Sequence, residues 1–170
     1  MSEQLTHTDI AFDRKSFPIV LVCDNITGAA NVGSLFRIAD TFGVAKILFC
    51  GKQLPEFGKR MQKTARNTDK TIPFEVHEDI LVVASALKEN RSIIALEITN
   101  DSTPAHSFDF KAHQNIALVV GNENYGVSSE ILKLSDGVIH IDMFGRNSSM
   151  NVAQATAIAL YEITRQWVDR

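Results

Sequence analysis

Redox and metal chemistry have little to work with in this sequence. It holds only two cysteines, Cys23 and Cys50, and each ends an apolar run that reads as a buried strand. Apolar neighbours raise a thiol's pKa, so neither reads as a nucleophile, and free buried thiols suit a reducing compartment. The five histidines, His7, His77, His106, His113 and His140, show no metal-ligand spacing, and no Ser-His-acid arrangement is readable. No metal is expected. Nor does any apolar run reach the roughly 18 residues of a membrane span. Residues 1–17 mix acids, bases and polar groups without the apolar stretch of a signal peptide. The expectation is no membrane, a cytoplasmic location, an N-terminal arm over 1–17 and a single domain over 18–170.

Positive charge is also scarce overall, with a net charge of −3, which argues mildly against a nucleic-acid binder. Its distribution says more. Between Gly51 and Lys70 stand six bases (Lys52, Lys59, Arg60, Lys63, Arg66, Lys70) against two acids, Glu56 and Asp69. One basic segment on an acidic body is where phosphate contacts are expected. Lys59, Lys63 and Arg66 share one face of a short helix by spacing, although a solvated surface would show the same pattern.

From Pro18 onward short apolar runs alternate with helical patterns. Strands are expected at Ile19–Cys23, Lys46–Cys50, Ile72–Val76, Ser92–Ile98, Ile116–Val120 and Val138–Ile141. Several are continuous Val/Ile/Leu stretches, the mark of strands covered on both faces. Helices are expected at Asn31–Phe42, Asp79–Glu89, Ser128–Leu134 and Asn151–Trp167. This alternation predicts an α/β fold with a mainly parallel six-stranded sheet and helices on both faces. The last helix is apolar almost all round in its first half, so it must cover its own sheet and something besides. A partner subunit is the simplest candidate.

Open parallel sheets bind ligands beyond the carboxyl ends of their strands, which directs attention to three loops. Asn25 to Arg37 follows the first strand; its Gly28–Gly33 spacing lacks a phosphate loop's lysine, and Arg37 alone reads equally as a surface arginine. Gly121-Asn-Glu123-Asn-Tyr-Gly126 follows the most apolar strand; an ordinary strand-to-helix turn is the bland alternative. Ile141 to Asn151 enters the final helix, with Ser148 or Ser149 available as its cap.

In this order the three loops resemble the three signature motifs of the SpoU/TrmH group of SPOUT RNA ribose 2′-O-methyltransferases. The resemblance runs from about Pro18 to Tyr161. It implies transfer of a methyl group from S-adenosyl-L-methionine to a ribose 2′-hydroxyl of tRNA or rRNA, by a homodimer joined through the C-terminal helix. It also implies a C-terminal trefoil knot. Arg37, Asn31, Glu123, Ser149 and Asn151 would be catalytic: Arg37 clamping phosphate and stabilising an alkoxide, Asn31, Ser149 and Asn151 orienting ribose and loop, Glu123 fixing its loop or pairing with Arg37. Thr99, Gly121, Ile141 and Met150 would hold the cofactor, with the bare Gly121 leaving room for adenosine. Lys59, Lys63, Arg66 and Lys70 would bind RNA. Asp142, Asn124 and Met150 depart from the group's usual proline, glycine and leucine. A base-nitrogen methyltransferase and a catalytically silent RNA-binding factor of the same fold are the competing readings.

Overall fold

A computed structural model describes residues 13–53, 55 and 57–168. The arm expected over 1–17 lies outside the described residues up to position 12, and Phe17 already belongs to the first strand. The strands are β1 (Phe17–Asp24), β2 (Val44–Cys50), β3 (Phe74–His77), β4 (Ser92–Leu96), β5 (Thr103–Pro104), β6 (Ile116–Val120) and β7 (Gly137–His140). The helices are α1 (Ala29–Thr41), α2 (Lys59–Ala65), α3 (Ile80–Lys88), α4 (Ser129–Leu134) and α5 (Val152–Val168).

All pairings in the sheet are parallel, in the order β3-β2-β1-β6-β4-β7-β5. The described sheet has seven strands where six were expected. The seventh, β5, is a two-residue edge strand with a proline, too short to leave a periodic pattern, and an edge tolerates the missing N–H. β6 is central, and every residue of its Ile-Ala-Leu-Val-Val run is fully buried because both faces of the sheet are covered.

Alternation along β1 shows how the two faces are filled. Ile19, Leu21 and Cys23 pack with α1, α2 and α5, whereas Val20 and Val22 pack with α3 and α4. Phe36 of α1 and Phe49 of β2 meet at 5.6 Å, and Phe74 of the edge strand β3 stands edge-on to Phe36 at 5.3 Å. α1 and α2 approach so closely that a methyl group on Gly33 would stand 2.5 Å from the Met61 carbonyl oxygen. Gly33 is therefore a packing glycine, and its spacing to Gly28 has nothing to do with phosphate.

Helix ends follow their caps. Asp79 precedes α3 and accepts from the amides of Leu81 (2.8 Å) and Val82 (3.3 Å). Asn151 caps α5 in the same way, accepting from Ala153 (3.0 Å) and Gln154 (3.3 Å), so neither Ser148 nor Ser149 does so. Ser128 makes no cap bond to α4; its hydroxyl is buried without a partner. α2 ends at Ala65, and Arg66 is its cap, in the left-handed region (φ 51°). At the far end of α5 the Trp167 ring N–H donates to the Phe110 carbonyl (2.9 Å), and the Gln166 amide bonds Phe110 N (3.0 Å) and Phe108 O (3.0 Å). These bonds fix the helix that closes the site.

Candidate active site

The loops leaving β1, β6 and β7 meet at the carboxyl ends of the strands. Asn31, in the first turn of α1, is their junction. Its side-chain amide donates to the Glu123 carboxylate, and its Oδ1 accepts from the Asn151 amide at 3.0 Å. An asparagine side chain can donate and accept at once, which suits it to join a carboxylate to a second amide.

A cavity of about 820 Å³ opens beside this junction, within the roughly 300–1,000 Å³ typical of small-molecule sites. All four residues expected to hold a cofactor, Thr99, Gly121, Ile141 and Met150, line it. Glu123, Ser149 and Asn151 line it as well, and Asn31 is tied to its rim through Glu123 and Asn151. Arg37 does not line the cavity; it is exposed on α1, and its guanidinium makes no bond among the described residues. Lys59 and Lys63 are exposed on α2, with Arg66 at its cap and Lys70 at the end of the short turn Thr68–Lys70, all exposed.

Gly121 needs a different explanation from the one its sequence suggests. An added methyl group would stand 2.1 Å from the Gly126 carbonyl carbon and 2.2 Å from the Val127 nitrogen. The protein's own turn occupies that space, so the missing side chain lets the loop close on itself. The turn is held by reciprocal backbone bonds between Asn122 and Gly126 (3.2 and 2.8 Å). Asn122 Oδ1 also accepts from Asn124 N at 2.8 Å, and its amide donates to Asn25 O at 2.7 Å, joining the β6 loop to the β1 loop. Gly126 has φ +68°, the left-handed region that favours glycine.

Two supports and two exposed aromatics were not legible beforehand. Glu97, just past β4, accepts the Val127 amide at 2.9 Å and so anchors the β6 loop from beneath. Asp24, only 1% exposed, accepts from Ser128 N at 2.9 Å and Asn25 Nδ2 at 2.7 Å, which satisfies a buried carboxylate. Tyr125 and Phe144 sit in the loops around the cavity with 88% and 97% of their surface exposed. A polar residue ending an apolar run is the only sequence signal for Glu97 and Asp24. For the two aromatics there is none, because exposure is a tertiary property.

The cysteines are chemically quiet. Burial raises the Cys23 thiol well above its ordinary value, and burial followed by the Asp24 and Asp79 charges pushes Cys50 up to about 12. Both stay protonated at neutral pH. Among the described residues, no group of His, Cys, Asp and Glu is placed to hold a metal ion, and no helix is long and apolar enough to cross a membrane.

The fold recurs in known proteins. A 23S rRNA (guanosine-2′-O-)-methyltransferase RlmB from Burkholderia sp. is 28% identical over 153 residues, covering 90% of this chain and 61% of that one. Among solved structures, an A. aeolicus TrmH/SpoU tRNA modifying enzyme superposes with a TM-score of 0.82 at 26% identity, covering 92% of this chain and 78% of that one. The SpoU methyltransferase AviRb from Streptomyces viridochromogenes, solved in complex with the cofactor AdoMet, gives 0.80 at 25% identity, covering 93% and 63%. Four curated relatives are longer, and the chain spans 41% to 64% of their length. The model of the SpoU rRNA Methylase family matches residues 18–161, the stretch that contains all three loops, and the chain belongs to that family.

Proposed function

We propose that this chain transfers a methyl group from S-adenosylmethionine to a ribose 2′-hydroxyl of tRNA or rRNA. The observation that carries this reading is the meeting of three loops at Asn31, Glu123 and Asn151 on the rim of one cavity. The activities of the relatives support it, as does the AdoMet-bound relative.

The cavity suits the cofactor chemically. Leu96, Val120 and Met150 give it apolar walls, and Thr99 and the β6 and β7 loops add polar groups. When bound, S-adenosylmethionine supplies a methyl group already activated by its sulfonium. The protein's task is then to exclude water, place an oxygen in line and manage that oxygen's proton. The walls around Gly121, Ile141 and Met150 do the first. Asn31, Ser149 and Asn151 orient the ribose, and Glu123 fixes the loop that carries it.

Arg37 stands six residues beyond Asn31, about 9 Å further along the helix and two-thirds of a turn round. Exposed and outside the lining of its own cavity, it fits a role in the partner's cavity of a homodimer. Gln154, Ile158, Tyr161, Arg165 and Val168 form an exposed stripe along α5, with Ile158 and Tyr161 exposed by 43% and 58%, and this is the face for that partner. A guanidinium stays protonated at neutral pH, so Arg37 clamps phosphate and stabilises the developing alkoxide. RNA follows the basic residues Lys59, Lys63, Arg66 and Lys70 to the site, where Tyr125 and Phe144 offer faces for unstacked bases. The C-terminal trefoil knot belongs to the same proposal and rests on the resemblance of the three loops to the family's motifs. The work on RNA is cytoplasmic.

Calorimetric titration with S-adenosylmethionine, run on wild-type protein and Arg37→Ala, tests this reading. Both should bind the cofactor with similar affinity while Arg37→Ala loses methyl transfer. Absence of binding in the wild type would favour a silent RNA-binding factor, and unchanged turnover would remove Arg37 from the mechanism.

A further inference from the structure

The loop that runs from β7 to α5 carries Ile141 and Met150 into the cavity, and one ionic cluster holds its first residues. Asp142 lies between two imidazoles: its Oδ2 is 3.3 Å from His106 Nδ1, and its Oδ1 is 3.5 Å from His140 Nε2. The other nitrogen of His140, Nδ1, is 3.0 Å from the Ser102 hydroxyl. Ser102 in turn donates to the Thr99 carbonyl at 2.8 Å and accepts from the Thr99 amide at 3.0 Å. The chain of contacts Thr99–Ser102–His140–Asp142–His106 thus joins two segments that line the cavity, and His140 is itself part of the lining.

The donors and acceptors in this chain limit how its members can bond. Ser102 has one hydroxyl proton and directs it at Thr99 O, so it can only accept from His140 Nδ1. An ionised Asp142 can only accept from Nε2. A proton on each nitrogen of His140 would serve both neighbours, Ser102 as a hydrogen-bond acceptor and Asp142 as the opposite charge.

We propose that Asp142 is a positioning residue for the methyl donor, its carboxylate drawing the β7–α5 loop onto the Thr99 turn through His140 and His106. The hold is strongest when the histidines are protonated. This rests on the reading of the cavity as the S-adenosylmethionine site. Other charges face the cluster: Glu162 of α5, which feels His106 and is itself paired with Arg165, and Glu97, which lines the same cavity as His140. A protonated His140 in the wall of the cavity would by itself oppose a cationic ligand there. Asp142 neutralises it, so the effect of removing Asp142 grows as the histidines charge.

The test is S-adenosylmethionine affinity by calorimetry for wild type, Asp142→Asn and His140→Gln, at roughly pH 5.8 and roughly pH 8, either side of the ordinary histidine value near 6.5. At the lower pH, Asp142→Asn should bind about three- to tenfold more weakly than wild type, the size expected for two partly exposed ion pairs. The gap should close to within about twofold at the higher pH, where the ordinary histidine is neutral. His140→Gln, which keeps only the His106 contact to Asp142, should change less between the two pH values than wild type does. Equal affinities of wild type and Asp142→Asn at both pH values, or a gap that does not change with pH, would overturn the role of Asp142 and leave the cofactor site standing. A wild type that binds no cofactor would overturn the cofactor reading itself, and the proposal with it.

Discussion

The side-chain amide of Asn151 donates to Asn31 Oδ1 at 3.0 Å across 120 residues of sequence. Because Asn31 also donates to Glu123, a single side chain links the first, second and third loops. Asn31→Asp removes the donor and sets a carboxylate against Glu123. Losing a bond to a charged group and adding repulsion should lower methyl transfer roughly 10–100-fold, with Asn31→Ala milder. Cofactor affinity should change by less than about twofold if the trio orients ribose, since Asn31 itself is not part of the cavity lining. Single-turnover rates beside calorimetric affinities separate these effects. An equal fall in both would make the trio part of the cofactor wall.

RNA should be held by charge along α2 and by stacking at the cavity mouth. Lys63→Ala with Arg66→Ala should weaken RNA binding and make the slope of log K against log salt shallower by about one to two. Phe144→Ala should cost affinity by the roughly 1–3 kcal/mol of one base–aromatic stack and leave the salt slope unchanged. Filter binding over a salt series reads both, and an unchanged slope in the double variant would reduce the basic face to a solvated surface.

Acid should loosen the joint between α3, β4 and β7. Partial burial works against the Asp136 charge. It is outweighed by the Lys88 ammonium at 2.9 Å and the Ile93 amide at 2.8 Å, which hold the carboxyl below its ordinary value. A depressed folded pKa contributes stability that is present above the ordinary carboxylate range and is lost as pH falls through the lowered value. Asp136→Asn should therefore cost about 1 kcal/mol at neutral pH, allowing for screening of a partly exposed pair, and nothing once the wild-type carboxyl is protonated. Denaturant melts at neutral and strongly acidic pH measure the difference.

Much of the frame was legible because burial on both faces writes continuous apolar runs. Ile116–Val120 was read to the residue, and β1, β2 and β4 differed from expectation only at their ends. β5 was not legible, since Thr103 and Pro104 join the sheet only through their pairing with Ile139 and His140. The cap of α5 was assigned to the wrong residue because Ser148, Ser149 and Asn151 are all good caps by type, and only the path of the loop selects Asn151. The reason for a bare residue at Gly121, and at Gly33, was not legible, because the atoms that exclude a side chain come from Gly126 and Val127 in one case and Met61 in the other. Asp142 stood out as a departure from its relatives, yet its two histidine partners lie in other segments and became visible only in three dimensions.

The most direct measurement is mass analysis of nucleosides. RNA from cells lacking this protein would be incubated with the protein and S-adenosylmethionine, then digested to nucleosides and fragmented. New nucleosides whose added methyl stays with the ribose fragment are expected. A methyl that stays with the base fragment, or no methylated nucleoside from protein that binds the cofactor, would contradict that expectation.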